Sequence, residues 1–96
     1  MFRNTMGKGF QLTFANGNTI SVQWGKGNYC ENHFKDIAME GVNLWGYSLD
    51  SKDAEVAVWD KDGNWTTKDF IPDLSDDVAG GLSADEVLAL MVKVAK

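Results

Sequence analysis

Apolar and polar residues alternate along two short stretches near the start of the chain. In GFQLTFA, residues 9–15, the apolar side chains share one face, and the same holds for TISVQW, residues 19–24. An alternation with a period of two is typical of strands that bury one face. Since Asn16, Gly17 and Asn18 lie between the stretches, the pattern predicts a β-hairpin with these three residues as its loop.

The apolar faces also predict the register of this hairpin, because apolar side chains should meet across the strands. The predicted pairs are Phe14 with Ile20, Leu12 with Val22, and Phe10 with Trp24. Continued outward, the same register sets Lys8 opposite Lys26, each inside a Gly-Lys-Gly segment. Like charges that face each other repel. The simpler interpretation is that the two lysines are solvated surface side chains that diverge from each other, or that they pair with the chain's own acidic segment.

A sharper hypothesis is that this lysine rim binds an anion. Glycines allow close approach of backbone amides to phosphate oxygens, and the ammonium groups add positive charge. The occupant would be a phosphate-bearing small molecule or an acidic segment of a partner. The predicted ligand-binding residues are Lys8, Gly25, Lys26, Gly27, Asn28 and Tyr29.

Further elements follow in the second half of the chain. Residues 32–41 can form a short helix, VNLWGYSL (42–49) and AEVAVWD (54–60) are predicted strands, and a turn leads into NWTTKDF (64–70). Gly63 as third loop residue fits the left-handed position of a three-residue hairpin loop, and this register sets Trp59 across from Trp65.

The residue pattern in the last part of the chain predicts an irregular connector followed by a helix. IPDLSDDVAGG, residues 71–81, combines proline, aspartates and a glycine pair that should break regular structure. Ser83 and Glu86 form a capping box that begins a helix over 83–95. The predicted apolar face consists of Val87, Leu88, Leu90, Met91, Val94 and Ala95, so Leu88→Asp should unfold the protein.

These elements predict one α+β domain over residues 1–96. Its core is an antiparallel sheet of about four to five strands, including two β-hairpins, with the C-terminal helix packed on one face. Self-association through an uncovered strand edge stays open. The start of the chain has no apolar export segment, and no apolar run approaches the ~20 residues of a membrane span. The prediction is a soluble, cytoplasmic protein that does not bind membranes.

Charge divides the chain into two halves. Residues 1–49 carry a net charge of +1 and residues 50–96 a net charge of −6, which gives −5 for the whole chain. Such a charge disfavours unspecific attraction to nucleic acid, so direct nucleic-acid binding is not expected. The acidic half could instead imitate phosphates toward a nucleic-acid-binding protein, although a solvated acidic face is the simpler interpretation. The candidate mimic residues are Asp60, Asp62, Asp69, Asp73, Asp76 and Asp77.

Catalytic and metal-binding patterns are weak. Cys30 and His33 are the only cysteine and histidine, too few for a structural zinc site, and a thiol mechanism using both is the least favoured alternative. The DKDGN segment, residues 60–64, resembles the start of a calcium loop, but its glycine comes too early, so a turn is predicted. We expect no enzyme activity, no metal and no cofactor.

The segments GKGFQLTFANGNTISVQWGKGNYCEN and AEVAVWDKDGNW resemble small uncharacterised proteins that bacteriophages and prophages encode, over about residues 6–65. Proteins of that class commonly act by binding. The resemblance implies a viral accessory protein in the host cytoplasm, which counteracts a host defence or regulatory factor by binding a host protein or sequestering a nucleotide-like anion. The predicted partner-binding residues are Trp59, Trp65, Asp73, Asp76 and Asp77.

Overall fold

The computed structural model describes residues 1–5, 8–24 and 50–96. Its five strands are β1 (Phe2–Asn4), β2 (Gly9–Thr13), β3 (Thr19–Gln23), β4 (Asp53–Trp59) and β5 (Ala79–Ser83). They form one antiparallel sheet in the order β1-β2-β3-β4-β5. Two helices, α1 (Thr67–Phe70) and α2 (Ala84–Ala95), complete these ranges, and α2 packs on β3, β4 and β5. The predicted α+β class is confirmed.

The core lies between one face of the sheet and α2. Alternation in β3 and β4 directs every second side chain to this face, because successive strand residues point to opposite sides. The helix covers them with side chains three and four positions apart. The buried core residues are Ile20, Val22, Ala54, Val56, Val58, Val87, Leu90 and Val94.

Helix α2 begins as predicted. The Ser83 hydroxyl accepts a hydrogen bond from the Glu86 backbone N–H over 3.3 Å, and the Glu86 carboxylate accepts one from the Ser83 N–H over 3.0 Å. Its buried face is narrower than predicted, however. Leu88 is 61% exposed, whereas Leu90 is 5% exposed. The expectation that Leu88 docks on the sheet was therefore wrong, and Leu88→Asp adds no charge to the core.

The register of the first hairpin differs from the prediction by two residues. Phe10 lies opposite Val22, and Leu12 lies opposite Ile20. The cause is Gly17, whose φ of 89° makes it the third loop residue, so the loop is residues 15–17. A shift of two keeps every side chain on its predicted face and changes only which residues meet.

NWTTKDF is not a strand. Only Trp65 pairs with β4, opposite Trp59, and the chain then turns into α1. The hydroxyl of Thr67 ends the pairing, because its Oγ1 accepts from the backbone N–H of Val58 over 2.9 Å. The Thr67 hydroxyl thus accepts the backbone hydrogen bond that the carbonyl group of a further strand residue would accept.

The two outer strands were not predicted. Strand β5 contains Gly80 and Gly81, which we expected to break regular structure. They form a bulge instead, since the register shifts between Ala54 and Val56 and Gly81 has a φ of 71°. Strand β1 is short and exposed. The predicted helix over 32–41 and strand over 42–49 lie outside the described residues.

Within the described ranges, no helix is both long and apolar enough to cross a membrane.

Candidate functional site: a tryptophan-lined cleft

The sheet face turned away from α2 has small side chains at its centre. Ser21 lies opposite Ala57 in the register of β3 and β4, and these small side chains are 5% and 6% exposed. Longer, half-buried side chains surround them: Gln11 lies opposite Ser21 on β2, and Gln23 lies opposite Glu55. Short side chains at the centre and long ones around it leave a depression in the face.

Two tryptophans form one wall of this depression. Trp59 ends β4, and Trp65 pairs with it across the loop of residues 61–63. The ring centroids lie 5.6 Å apart and the ring planes meet at 55°. Trp65 keeps 54% of its surface exposed. The predicted pairing of Trp59 with Trp65 is confirmed, and the pair presents a fixed aromatic surface to solvent.

The cavity in this face has a volume of about 340 Å³. Among the described residues, Gly63 and Val78 line it together with the seven residues already named. We call this site the tryptophan cleft. Its size matches the lower range of small-ligand pockets. It can hold one or two side chains of a partner, but not a folded element.

The tryptophan cleft is lined by side chains with both hydrogen-bond donors and acceptors. The Gln23 amide nitrogen Nε2 donates to the Ser21 hydroxyl over 3.0 Å. This bond uses one of the two N–H groups that the amide nitrogen carries. The Glu55 carboxylate also lines the cleft, and an ionised carboxylate only accepts hydrogen bonds.

The loop beside the tryptophans is held by Asp60. Its carboxylate accepts from the backbone N–H groups of Asp62 and Asn64, both over 2.9 Å, and from the Asn64 side chain over 3.2 Å. The pKa of Asp60 lies below its ordinary value of 3.8, chiefly because the Asn64 backbone N–H stabilises the ionised form. The DKDGN segment thus forms the predicted turn, and the Asp60 carboxyl group in it is ionised at neutral pH.

The predicted acidic residues lie on an exposed segment that leads into the cleft. Asp73, Asp76 and Asp77 are all exposed, and the next residue after Asp77 is the cleft residue Val78. The Asp77 backbone N–H donates to the Asp76 carboxylate over 2.7 Å. Val78, which follows the acidic segment, therefore shares the cleft with the tryptophan pair, and these acidic residues and tryptophans were predicted together as partner-binding residues.

The lysine rim loses the register on which it was predicted. The backbone N–H of Trp24 donates to the carbonyl oxygen of Lys8 over 2.9 Å, so Lys8 lies opposite Trp24 and not at the position that the Lys26 pairing required. The other five predicted ligand-binding residues, 25–29, lie outside the described residues, as do Cys30 and His33. Anion binding at this rim stays a prediction.

Sequence reasoning missed most of the cleft. Gln11, Ser21, Gln23 and Glu55 lie at polar positions of alternating strands, where solvated side chains are the ordinary expectation. Ser21 and Ala57 are small residues at the polar-face positions of their strands, but no local signal in the sequence shows that they face each other. Among the described residues, no group of three His, Cys, Asp or Glu side chains has metal-binding geometry.

No protein-family model, curated protein or solved structure matches this chain. The resemblance to small phage proteins therefore stays a prediction. Function has to be argued from the residues of the tryptophan cleft itself.

Proposed function

We propose that this chain is a non-catalytic binding protein and that the tryptophan cleft binds a segment of a partner protein. The observation that carries the proposal is Trp65. More than half of this large ring is exposed, yet backbone pairing and ring contact with Trp59 hold it in place. Exposed aromatic rings at fixed positions are typical anchors of protein interfaces, because they bury much apolar area at little cost in side-chain entropy.

The shape of the site also favours a peptide segment over a broad flat contact. The cleft has a volume of about 340 Å³ and includes Ser21 and Ala57 in its lining, so it has room for one protruding side chain of a partner. Hot spots of interfaces cluster in such central pockets, with a less important rim around them.

The resemblance to small phage proteins extends this proposal. The partner would be a host protein, a defence or regulatory factor, that the chain occupies and so blocks. The alternative of a sequestered nucleotide-like anion draws less support, because the described register leaves Lys8 opposite Trp24.

Imitation of nucleic acid is the second candidate function. It is favoured by the exposure of Asp73, Asp76 and Asp77 on one segment beside the cleft. A target that binds nucleic acid would then be released by duplex DNA, whereas a partner anchored mainly by Trp65 would not be released.

A peptide-display selection with counter-selection tests the proposed function. A random peptide library is selected on the parent protein and then depleted on Trp65→Leu, which keeps an apolar side chain but removes the ring. Leu88→Ser serves as control, since Leu88 is exposed on α2, the layer on the other side of the sheet. We expect peptides that bind the parent and Leu88→Ser but not Trp65→Leu. Failure to enrich any peptide that depends on Trp65 would overturn the proposal.

A further inference from the structure

The two tryptophans give the tryptophan cleft a surplus of hydrogen-bond donors. A glutamine amide both donates and accepts, and Gln23 keeps one N–H group beside the one that bonds Ser21. Gln11 brings a second such amide to the cleft. An indole, by contrast, only donates. Within the described residues, neither the Trp59 nor the Trp65 indole N–H forms a hydrogen bond. A ligand that offers acceptors beside the tryptophans therefore fits the cleft.

Charge determines which kind of acceptor can enter. The whole chain carries −5, so an approaching anion is repelled at long range. The exposed carboxylates of Asp76 and Asp77, which directly precede the cleft residue Val78, add to this repulsion. Glu55 also lines the cleft, but it has an interaction partner of its own and brings no donor when ionised. The acceptor that suits the cleft is therefore neutral, as a carbonyl oxygen is.

The exposed ring of Trp65 requires apolar surface beside that acceptor. This ring keeps 54% of its surface exposed, and backbone pairing with Trp59 holds it in place, so covering it removes a fixed apolar area from water. A proline residue combines both properties. Its apolar ring belongs to a backbone unit whose carbonyl accepts and whose nitrogen carries no hydrogen. A sugar ring can also cover an aromatic face, but each of its hydroxyl groups brings a further donor.

We infer that the tryptophan cleft binds a proline-rich segment of the partner in the polyproline II conformation. This conformation has no internal hydrogen bonds, so its carbonyl groups are available to the indoles and side-chain amides of the cleft. It is also preformed in proline-rich chains, and little conformational entropy is lost when it docks on an aromatic-lined groove. The inference rests on the proposed function, because it names the chemistry and conformation of the segment that binds at the same cleft.

The test compares two neutral peptides, acetyl-hexaproline-amide and acetyl-hexasarcosine-amide. Both have carbonyl acceptors and no N–H group between their residues, but sarcosine lacks the ring and leaves the backbone flexible. Each is titrated into the ¹⁵N-labelled protein while the indole N–H signals of Trp59 and Trp65 are followed. We expect hexaproline to shift both signals and to bind about tenfold more tightly, because ordering the backbone of one flexible residue alone costs affinity on that order. Added salt should leave this affinity unchanged, because no ion pair is screened.

Variants of the protein separate the ring from the donors. Trp65→Phe keeps an aromatic face and loses the N–H group, whereas Trp65→Leu loses both. We expect hexaproline to bind Trp65→Phe more weakly than the parent, and Trp65→Leu more weakly still. Gln11→Glu replaces an amide by a carboxylate that only accepts, so it should also weaken binding. Leu88→Glu adds the same charge at an exposed position of α2, on the other side of the sheet, and should leave the affinity unchanged. The ¹⁵N spectrum of each variant shows whether its fold is kept.

The outcomes separate this inference from the proposed function. Equal affinity for the two hexamers would overturn the proline-rich occupant, as would tighter binding of cellotriose, a neutral sugar that also covers aromatic rings. Undiminished binding of hexaproline to both Trp65→Phe and Gln11→Glu would contradict the role of the donors and overturn it too. A display selection that yields Trp65-dependent peptides without proline rejects this inference, and in that case the proposed function stands. If neither hexamer shifts an indole signal and the selection also fails, both are overturned.

Discussion

The side-chain amide of Asn18 donates to the carbonyl oxygen of Val94 over 3.1 Å, although 76 residues separate them. Asn16, which lies in the hairpin loop of residues 15–17, donates to the same oxygen over 2.9 Å. The last carbonyl groups of a helix have no intrahelical partner, so groups from elsewhere must satisfy them. Asn16 in the loop of the first hairpin and Asn18 directly after it thus cap the C-terminal end of α2.

Asn18→Ala should lower the free energy of unfolding by about 1 kcal/mol, because a partly buried hydrogen bond to the helix end is lost. Asn64→Ala is the matched control. Asn64 occupies the corresponding position after the second loop, but its side chain contacts only the exposed Asp60 carboxylate in the hydrogen bonds described. Its replacement should cost less than about 0.5 kcal/mol. Urea unfolding measures both, and equal losses would contradict the cap.

Leu88 and Leu90 give a second prediction, on the docking face of α2. Leu90→Asp should cost about 3 kcal/mol or more, because it sets an unpaired charge in the core. Leu88→Asp should leave the fold intact, because that side chain already meets water. Circular dichroism during thermal unfolding distinguishes the two, and cooperative unfolding of Leu90→Asp at the parent temperature would show that the face is assigned wrongly.

The two hairpin loops show what the sequence could predict and why part of it failed. Both loops have three residues, and their last residues, Gly17 and Gly63, have φ values of 89° and 84°. The glycine rule applied to Gly63 predicted the Trp59 pairing correctly. The first hairpin was instead aligned by apolar faces, and a shift of two residues satisfies those faces equally well. Patterning with a period of two predicts the face of each residue, but the loop glycine decides the register.

The outer strands failed for a different reason. Strand β5 pairs with the sheet on one side only, so its glycines can form a bulge there without disturbing a second neighbour. Strand β1 has three exposed residues, and exposed residues leave no apolar pattern from which a strand could be predicted.

The candidate site was predictable only in its aromatic part. Trp59 and Trp65 lie on either side of a recognisable turn, so local rules could pair them. The floor of the cleft depends on Ser21 lying opposite Ala57, and residues 24–52 separate the two strands in sequence. Long-range register of this kind has no local signal, since it follows from how β3 and β4 pack under α2.

A third prediction concerns stability in acid. The pKa of Asp60 is lowered chiefly by the Asn64 backbone N–H, and the pKa of Glu86 is lowered chiefly by the Ser83 backbone N–H. A carboxyl group whose pKa is lowered by folding stabilises the fold at pH values above its ordinary pKa. This contribution is lost as the pH falls through the lower pKa of the folded protein. The ordinary values are 3.8 for Asp60 and 4.5 for Glu86, so stability should decline as pH falls below about 4.5.

Asp60→Asn and Glu86→Gln check this origin. Each variant keeps an oxygen that can accept the backbone N–H but no longer titrates. Urea unfolding is measured for the parent, both single variants and the double variant between pH 2.5 and 6. We expect the double variant to lose less stability over this range than the parent. The same acid dependence in parent and double variant would assign it to other carboxyl groups.

The last prediction contrasts two adjacent threonines. Thr67 is fully buried, and its hydroxyl accepts from the Val58 N–H over 2.9 Å. Thr67→Val should cost about 1–3 kcal/mol, because that buried N–H is left without a partner. The buried hydroxyl oxygen of Thr66 has no hydrogen-bond partner within the described ranges. Thr66→Val should therefore be neutral or stabilising, since it removes an unpaired polar group and keeps the backbone N–H that bonds Val58.

Thermal unfolding followed by far-ultraviolet circular dichroism measures both threonine variants under one set of conditions. The two substitutions make the same chemical change at neighbouring positions, so differences in propensity between threonine and valine largely cancel. Thr67→Ser, which keeps the hydroxyl and loses a methyl group, separates the hydrogen bond from packing and should be less damaging than Thr67→Val. If Thr66→Val destabilises as much as Thr67→Val, the hydroxyl of Thr67 does not hold α1 against the end of β4.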